Sequence, residues 1–312
     1  MPMVSIRPVT SSSGKGQIHR WPASAVLGAG TLNLLERVPG RDELLRDVAN
    51  GQVVLAVALA DGEDEDTPPF RLERAAGRAG GFRLHGRAGF VSGAADAGRL
   101  LLLALDPDGA PVVACVTPGA PGLGLAAQPV LDATRRLGLV TADGAEVPEA
   151  AVWRFGGDPR ASVARLLDRA AVAVACDSLG LSEAMLDATV AYAGVREQFG
   201  RPIGSFQAVK HACADMLVRV SVARELVAVA ARRLAGDALG DPAAGVAASM
   251  AKSYACAAAV DVAGRAMQLH GGMGYTWESG IHVYLKRAAL NRSLSGSPAA
   301  HRERLARRYR GD

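Results

Sequence analysis

The sequence predicts an α+β protein, with a small antiparallel β-sandwich or barrel first and an up-down four-helix bundle second. Two observations carry this. Between residues 51 and 155 short apolar runs alternate with Gly, Pro and Asp-Gly breaks, as in short strands joined by tight turns. From Ser162 onward apolar residues recur at helical spacing instead (Leu166, Leu167, Ala170, Val174, Leu181), in long stretches joined by short loops. The chain thus divides into a loose arm with a short helical segment at 1–50, a β-domain at 51–155 and a helical bundle at 156–312.

Residues 1–30 are rich in Ser, Gly and Pro with no period, and read as a loose arm. Residues 32–50 hold one or two helical turns, interrupted at Pro39-Gly40. Strands are expected at 52–60, 70–75, 81–86, 89–92, 100–105, 111–117 and 123–129. Turns are expected at Asp108-Gly109 and Asp143-Gly144, and an acidic loop at 61–66. Helices follow at 160–195, 205–235, 242–270 and 277–292, with a short last one at 298–309. Pro202 and Gly204 separate the first two; Asp241-Pro242 caps and starts the third, and Gly271-Gly272 stops it.

The 312 residues are 49% apolar but only 4% aromatic, which suits close helix packing through Ala and Val. A net charge of +4 is too small and too scattered to point to nucleic acid. The closing run of Arg302, Arg304, Arg307, Arg308 and Arg310 reads as the solvated face of a terminal helix. Cys115, Cys176, Cys213 and Cys256 lack paired spacing and read as buried free thiols in a reducing compartment. The six histidines are isolated from other ligand types, so no metal site is expected. No leader pattern opens the chain and no uninterrupted apolar run reaches the ~18 residues of a membrane span, so a soluble cytoplasmic protein is expected.

Two stretches carry the chemistry. Gln268 to Glu278 reads QLHGGMGYTWE. Alone it is a helix end and a turn, but its glycines also let a backbone approach a ligand with no Cβ in the way. Arg196 to Gln207 reads REQFGRPIGSFQ, on the turn between the first two long helices, followed by Ala214-Asp215-Met216. Together these closely resemble the C-terminal helical domain of the acyl-CoA dehydrogenases. GFRLHG at 81–86, Phe90-Val91-Ser92 and the Ala-Asp-x-x-x-Leu-Leu-Leu stretch from Ala95 look like that family's middle domain. The resemblance covers residues 45–297 and implies a flavoprotein that oxidises the Cα–Cβ bond of an acyl-CoA thioester. It implies FAD as cofactor and an electron-transfer flavoprotein as electron acceptor. A fixed guanidinium is a good partner for the pyrophosphate of FAD. By resemblance, Arg196, Gln198, Phe199, Gln207 and Gln268, Leu269, His270, Gly271 and Gly272 complete the FAD site of a neighbouring subunit. Phe90 and Ser92 belong to the chain's own flavin loop.

Three departures from the family shape the expectation. Only about the first fifty residues precede the sheet, so the family's N-terminal helical domain is largely missing and the acyl pocket is open or completed by another chain. The first flavin loop is replaced by Asp61, Glu63, Asp64, Glu65 and Asp66, poor neighbours for a pyrophosphate. The two places where the family carries its catalytic Glu hold Ser295 and Ala170, neither of which can take an α-proton. Asp168, about 200° round its helix from Ala170, and the pair Glu278 and His282 are the replacements to weigh. This set is most similar to the short non-catalytic subunit of heteromeric α2β2 acyl-CoA dehydrogenases, several of which act on steroid-derived acyl-CoA. The expected partner is a larger acyl-CoA dehydrogenase subunit or a second copy of the chain. An autonomous homomeric enzyme with an atypical base and a flavin-free scaffold are the other readings.

Overall fold

The computed structural model describes residues 21–60, 67–75, 81–236 and 239–310. Of the loose arm expected at 1–30, residues 1–20 lie outside the described residues, and from Trp21 the chain is helical. A π-helical turn, Trp21–Gly28, leads into α1 (Ala29–Leu34), and α2 (Pro39–Ala49) starts with its proline in the first turn. Long-range contacts order this arm, and no local period announces them. The Ser24 hydroxyl donates to the carbonyl of Leu55 at 3.0 Å and accepts from its amide at 2.9 Å, while Leu32 and Leu35 are buried.

Among the described residues eight strands form one sheet: β1 (Leu55–Ala58), β2 (Phe70–Arg74), β3 (Phe82–Ser92), β4 (Arg99–Leu105), β5 (Pro111–Val116), β6 (Leu123–Gln128), β7 (Leu137–Val147) and β8 (Val152–Arg154). Their order is β6-β7-β3-β2-β4-β5-β8, with β1 also on β4. The sheet is mixed, not wholly antiparallel. β1 and β2 both run parallel to β4 along the edge that β5 leaves free. The apolar runs of β1 and β4 are buried on both faces. Leu55, Val57, Leu101 and Leu103 face the helices, whereas Ala56, Ala58, Leu100 and Leu102 face the inner core with Phe70, Phe82 and Val140. Asp108-Gly109 makes the expected turn, held by the Asp106 carboxylate, which accepts from the amides of Asp108 and Ala110. Asp143-Gly144 does not. Asp143 pairs with His85 and Ala145 with Leu84, so Gly144, at φ +66°, is a bulge inside β7. A glycine that reads as a turn thus hides the longest antiparallel pairing in the sheet.

The bundle consists of α3 (Pro159–Val195), α4 (Gln207–Ala235), α5 (Pro242–His270) and α6 (Ile281–Ser293), closed by α7 (Pro298–Arg310). Asp158 and Asp241 cap α3 and α5, each accepting an amide at 2.9 Å ahead of a proline start. The helix expected from 277 begins only at Ile281. Residues Gly271–Tyr275 form a 3-10 turn, and Gly280, at φ +67°, redirects the chain. By length and composition Pro242–Tyr275 could cross a membrane, but 61% of its apolar window is buried inside the bundle, where α5 is the central helix. Val163, Leu166 and Ala170 of α3 seal the helix-facing side of the sheet. Of the cysteines expected to be buried, Cys256 is, whereas Cys176 is exposed and Cys115 and Cys213 are half-buried.

Candidate functional site

The two motifs meet at the end of the bundle where α3 and α5 finish. Arg196 caps α3, its amide donating to Tyr192 at 2.9 Å. Beyond it β9 (Glu197–Gln198) and β10 (Arg201–Pro202) form a two-residue hairpin. Phe199 and Gly200 at its tip take φ of +55° and +74°, as a primed turn requires. The Ile203 amide closes the loop onto the Arg196 carbonyl at 2.8 Å, and the Arg201 guanidinium lies 4.2 Å over the Phe206 ring. Arg196, Gln198, Phe199 and Gln207 are all exposed, Phe199 at 92%. Across from them α5 ends on Gly271, at φ +58° and ψ −140°, a conformation that suits glycine. A Cβ added at Gly271 or Gly272 would meet nothing within 4 Å, whereas one at Gly274 would fall 2.7 Å from the Met267 carbonyl. The first two glycines therefore face open space and the third closes the turn.

Gln268 is exposed beside them. Leu269 and His270 are not ligand-facing: Leu269 packs on the bundle core and His270 is buried, its Nδ1 2.7 Å from the Ala266 carbonyl. Both lie on the inward face of the last helical turn, so they can offer only backbone.

Phe90 and Ser92 lie elsewhere, at the seam between sheet and bundle. Phe90 sits at φ +54° in the bulge between Ala88 and Val91, its amide donating to the Gln128 side chain. Ser92 pairs with Leu137, and the amide of Gly93 donates to Arg136 at 3.1 Å. That loop is pinned to α3. Asp177 accepts from Arg135 at 2.9 Å, from Arg287 Nε at 2.9 Å with Arg287 Nη2 on its other oxygen, and from Asn291 at 2.6 Å. Burial alone would raise the Asp177 carboxyl. Arg287, Arg135 and Asn291 outweigh it and hold the group at about 2, a permanent anion without base character. From Asp177 to Arg196 the helix runs ~28 Å, so this joint and the clamp lie far apart on α3. The acidic loop at 61–66 lies outside the described residues.

The base positions carry no acid. Ala170 is packed into the core between sheet and helices. Ser295 is left-handed at φ +52°, followed by Gly296 at +81°. Two buried side chains hold this turn: His301 Nε2 lies 2.8 Å from the Ser295 carbonyl, and Lys252 Nζ donates to the Gly296 carbonyl at 2.7 Å. Asp168 points away from both, against Gly245 and 3.5 Å from Arg304. Burial raises its pKa, partly offset by Arg304 and Arg165, and its Oδ1 has no hydrogen-bond partner. The expected Glu278–His282 pair does not form. Glu278 precedes the helix, and the His282 ring packs edge-on against Trp277 at 4.6 Å.

Two clefts open among the described residues. One, of about 900 Å³, lies between the α1 segment, α3 and α4, lined by Val26, Ala29, Val172, Ala173 and Leu234, with Asp177 and Arg287 among its polar groups. The other, of about 460 Å³, opens beside Asp168 and is lined by Arg304, Arg307 and Arg308. The terminal arginines are therefore only partly a solvated face. Arg308 also donates to the Pro242 carbonyl at 3.1 Å. The Arg135–Asp177–Arg287–Asn291 joint escapes a reading of motifs because its members come from three separate segments. Lys252 leaves a fainter sign, a cation amid the Ala-rich first half of α5.

A family model, the acyl-CoA dehydrogenase C-terminal domain, matches residues 160–310. Acyl-CoA dehydrogenase IpdE2 of Mycolicibacterium smegmatis is 39% identical over 178 residues, 57% of this chain and 50% of its own length. The chain spans about half the length of that curated relative. The ChsE4-ChsE5 complex from Mycobacterium tuberculosis superposes with a TM-score of 0.81 at 28% identity, covering 94% of this chain and 76% of that one. The Tcur3481-Tcur3483 steroid ACAD gives 0.78 at 29% identity, over 92% and 74%.

Proposed function

We propose, on the premise that residues 160–310 match the acyl-CoA dehydrogenase C-terminal domain, that the chain belongs to that family as one subunit of a flavin-dependent acyl-CoA dehydrogenase. It completes the FAD site of a longer partner and takes no α-proton itself. The observation that carries this reading is the separation of the half-sites: an exposed clamp at one end of α3, and a seam beside Ser92 where Arg135 binds Asp177, ~28 Å back along the helix. Such a clamp faces outward, which supports a ligand held by another chain.

The clamp residues fit a dinucleotide. An exposed guanidinium at Arg196 suits a pyrophosphate, and the open backbone of Gly271 and Gly272 is a cradle that side chains would fill. Gln207 and Gln268 can each donate and accept. FAD, when bound, supplies the hydride acceptor for the β-carbon. The α-proton needs a carboxylate, and with Ala170 buried and Ser295 a hydroxyl, the partner supplies it. The apolar cleft of about 900 Å³ suits a bulky acyl group of steroid type. Arg304, Arg307 and Arg308 suit the phosphates of coenzyme A. An electron-transfer flavoprotein would then reoxidise the partner's flavin.

Co-expression with a longer acyl-CoA dehydrogenase tests this. The expected result is a stable complex with fewer flavins than chains, active on an acyl-CoA, while the chain alone is colourless and inert. A yellow, isolated chain that reduces a dye with an acyl-CoA would return the whole activity to it.

A further inference from the structure

We propose that Tyr192 sets the spacing of the dinucleotide clamp as a positioning residue, an inference that rests on the clamp reading above. Tyr192 lies one turn before Arg196, and its carbonyl accepts the Arg196 amide at 2.9 Å. Its ring stacks on His270 with centroids 4.4 Å apart and planes 20° from parallel. Its hydroxyl donates to the His270 carbonyl at 3.4 Å, the peptide that leads into Gly271. A single residue therefore touches the root of both jaws, through its carbonyl at Arg196 and its side chain at His270.

Each jaw is otherwise braced on its own helix. The hairpin folds back on α3, where a Cβ at Gly204 would stand 3.0 Å from the Ala193 carbonyl. The glycine turn folds back on α5 through Gly274 and Met267. His270 cannot swing, because its Nδ1 is 2.7 Å from the Ala266 carbonyl. A carbonyl only accepts, so that nitrogen carries the proton and the ring is pinned to α5. The Tyr192 ring rests on this fixed plate, and its hydroxyl meets one of the carbonyls a helix end leaves without a partner. Ligand groups need placing to within about 0.5 Å, which depends on the residues packed behind them. The stack supplies that support between the ends of the two helices.

The flavin-free complex of the full-length chain with a longer acyl-CoA dehydrogenase is titrated with FAD, followed by fluorescence anisotropy, with the chain as wild type, Arg196→Ala, Tyr192→Leu and Tyr192→Phe and a thermal midpoint for each. Tyr192→Leu is expected to weaken FAD binding about tenfold, through loss of the ring stack and of the alignment it gives. Tyr192→Phe keeps the ring and is expected to stay within about threefold of wild type. If Tyr192→Leu does not fold, His270→Asn removes the other ring and should weaken binding by the same factor. Unchanged binding in Tyr192→Leu or His270→Asn, alongside a loss in Arg196→Ala, overturns the positioning role and leaves the clamp standing. Weakening in Tyr192→Leu that Phe does not rescue also overturns it. Wild type and Arg196→Ala that bind FAD equally, or not at all, overturn the clamp reading and this inference with it.

Discussion

Arg287 grips both carboxylate oxygens of Asp177 from the neighbouring helix, while Arg135 reaches the same carboxylate from the sheet. The seam between the two halves of the molecule is thus an ion-pair joint. Its anion is held at about 2 against a burial that works the other way.

This joint predicts a specific acid sensitivity. A carboxyl depressed below its unfolded value, about 3.9, contributes stability that is complete above that value and is lost as pH falls through about 4 toward about 2. Roughly 2 kcal/mol is involved. Asp177→Asn should flatten the acid limb of urea-unfolding stability over that window. At neutral pH it should cost ~3 kcal/mol, since two half-buried guanidinium groups lose their counter-ion. An acid limb unchanged in the variant would rule out Asp177 as its source.

Gly272 separates ligand contact from folding. Its backbone is ordinary and a Cβ there meets nothing within 4 Å. Gly272→Val should leave the thermal midpoint within about 2 °C, a change of under ~0.5 kcal/mol. FAD content of the purified complex should still fall, because the side chain fills the cradle. Equal loss of midpoint and flavin would mean that the turn is structural only.

Ser295 predicts a gain. A serine at φ +52° is strained, and glycine is not. Ser295→Gly should stabilise the chain by ~0.5–1 kcal/mol, read from the urea midpoint. Ser295→Ala should leave turnover of the complex nearly unchanged. A large loss of turnover would place the proton transfer on this chain after all.

Lys252 predicts a loss through the backbone carbonyls that it holds. Wholly buried, it donates to the Asn291 and Gly296 carbonyls at 3.1 and 2.7 Å. Lys252→Met keeps much of the volume but abandons those oxygens, and should destabilise by ~3 kcal/mol in chemical denaturation. A neutral outcome would mean that water takes over the ammonium's place.

The bundle was legible because helical periodicity and the two Asp-Pro starts are local signals, and α5 begins and ends where the pattern says it should. The sheet was legible as short strands but not in its pairing. Gly144 reads as a turn while acting as a bulge, and nothing local tells β1 and β2 to share one edge of β4. In the site, Arg196 and the Gly271–Gly272 turn sit in contiguous motifs and could be found. Asp177 with Arg287 could not, because 110 residues separate two members of one contact. His270 was found for the wrong reason: it lies in the motif, but its ring is part of the support behind the clamp.

The length of α3 has an evolutionary consequence. Substitutions more than about 10 Å apart with no shared partners act additively. The clamp at Arg196 and the seam at Asp177 stand ~28 Å apart on one rigid helix. After a gene duplication, drift at one site would leave the other under undiminished selection. Two sister chains could then each discard a different half of an ancestral symmetric assembly, and thereafter neither could return to working alone by a single substitution.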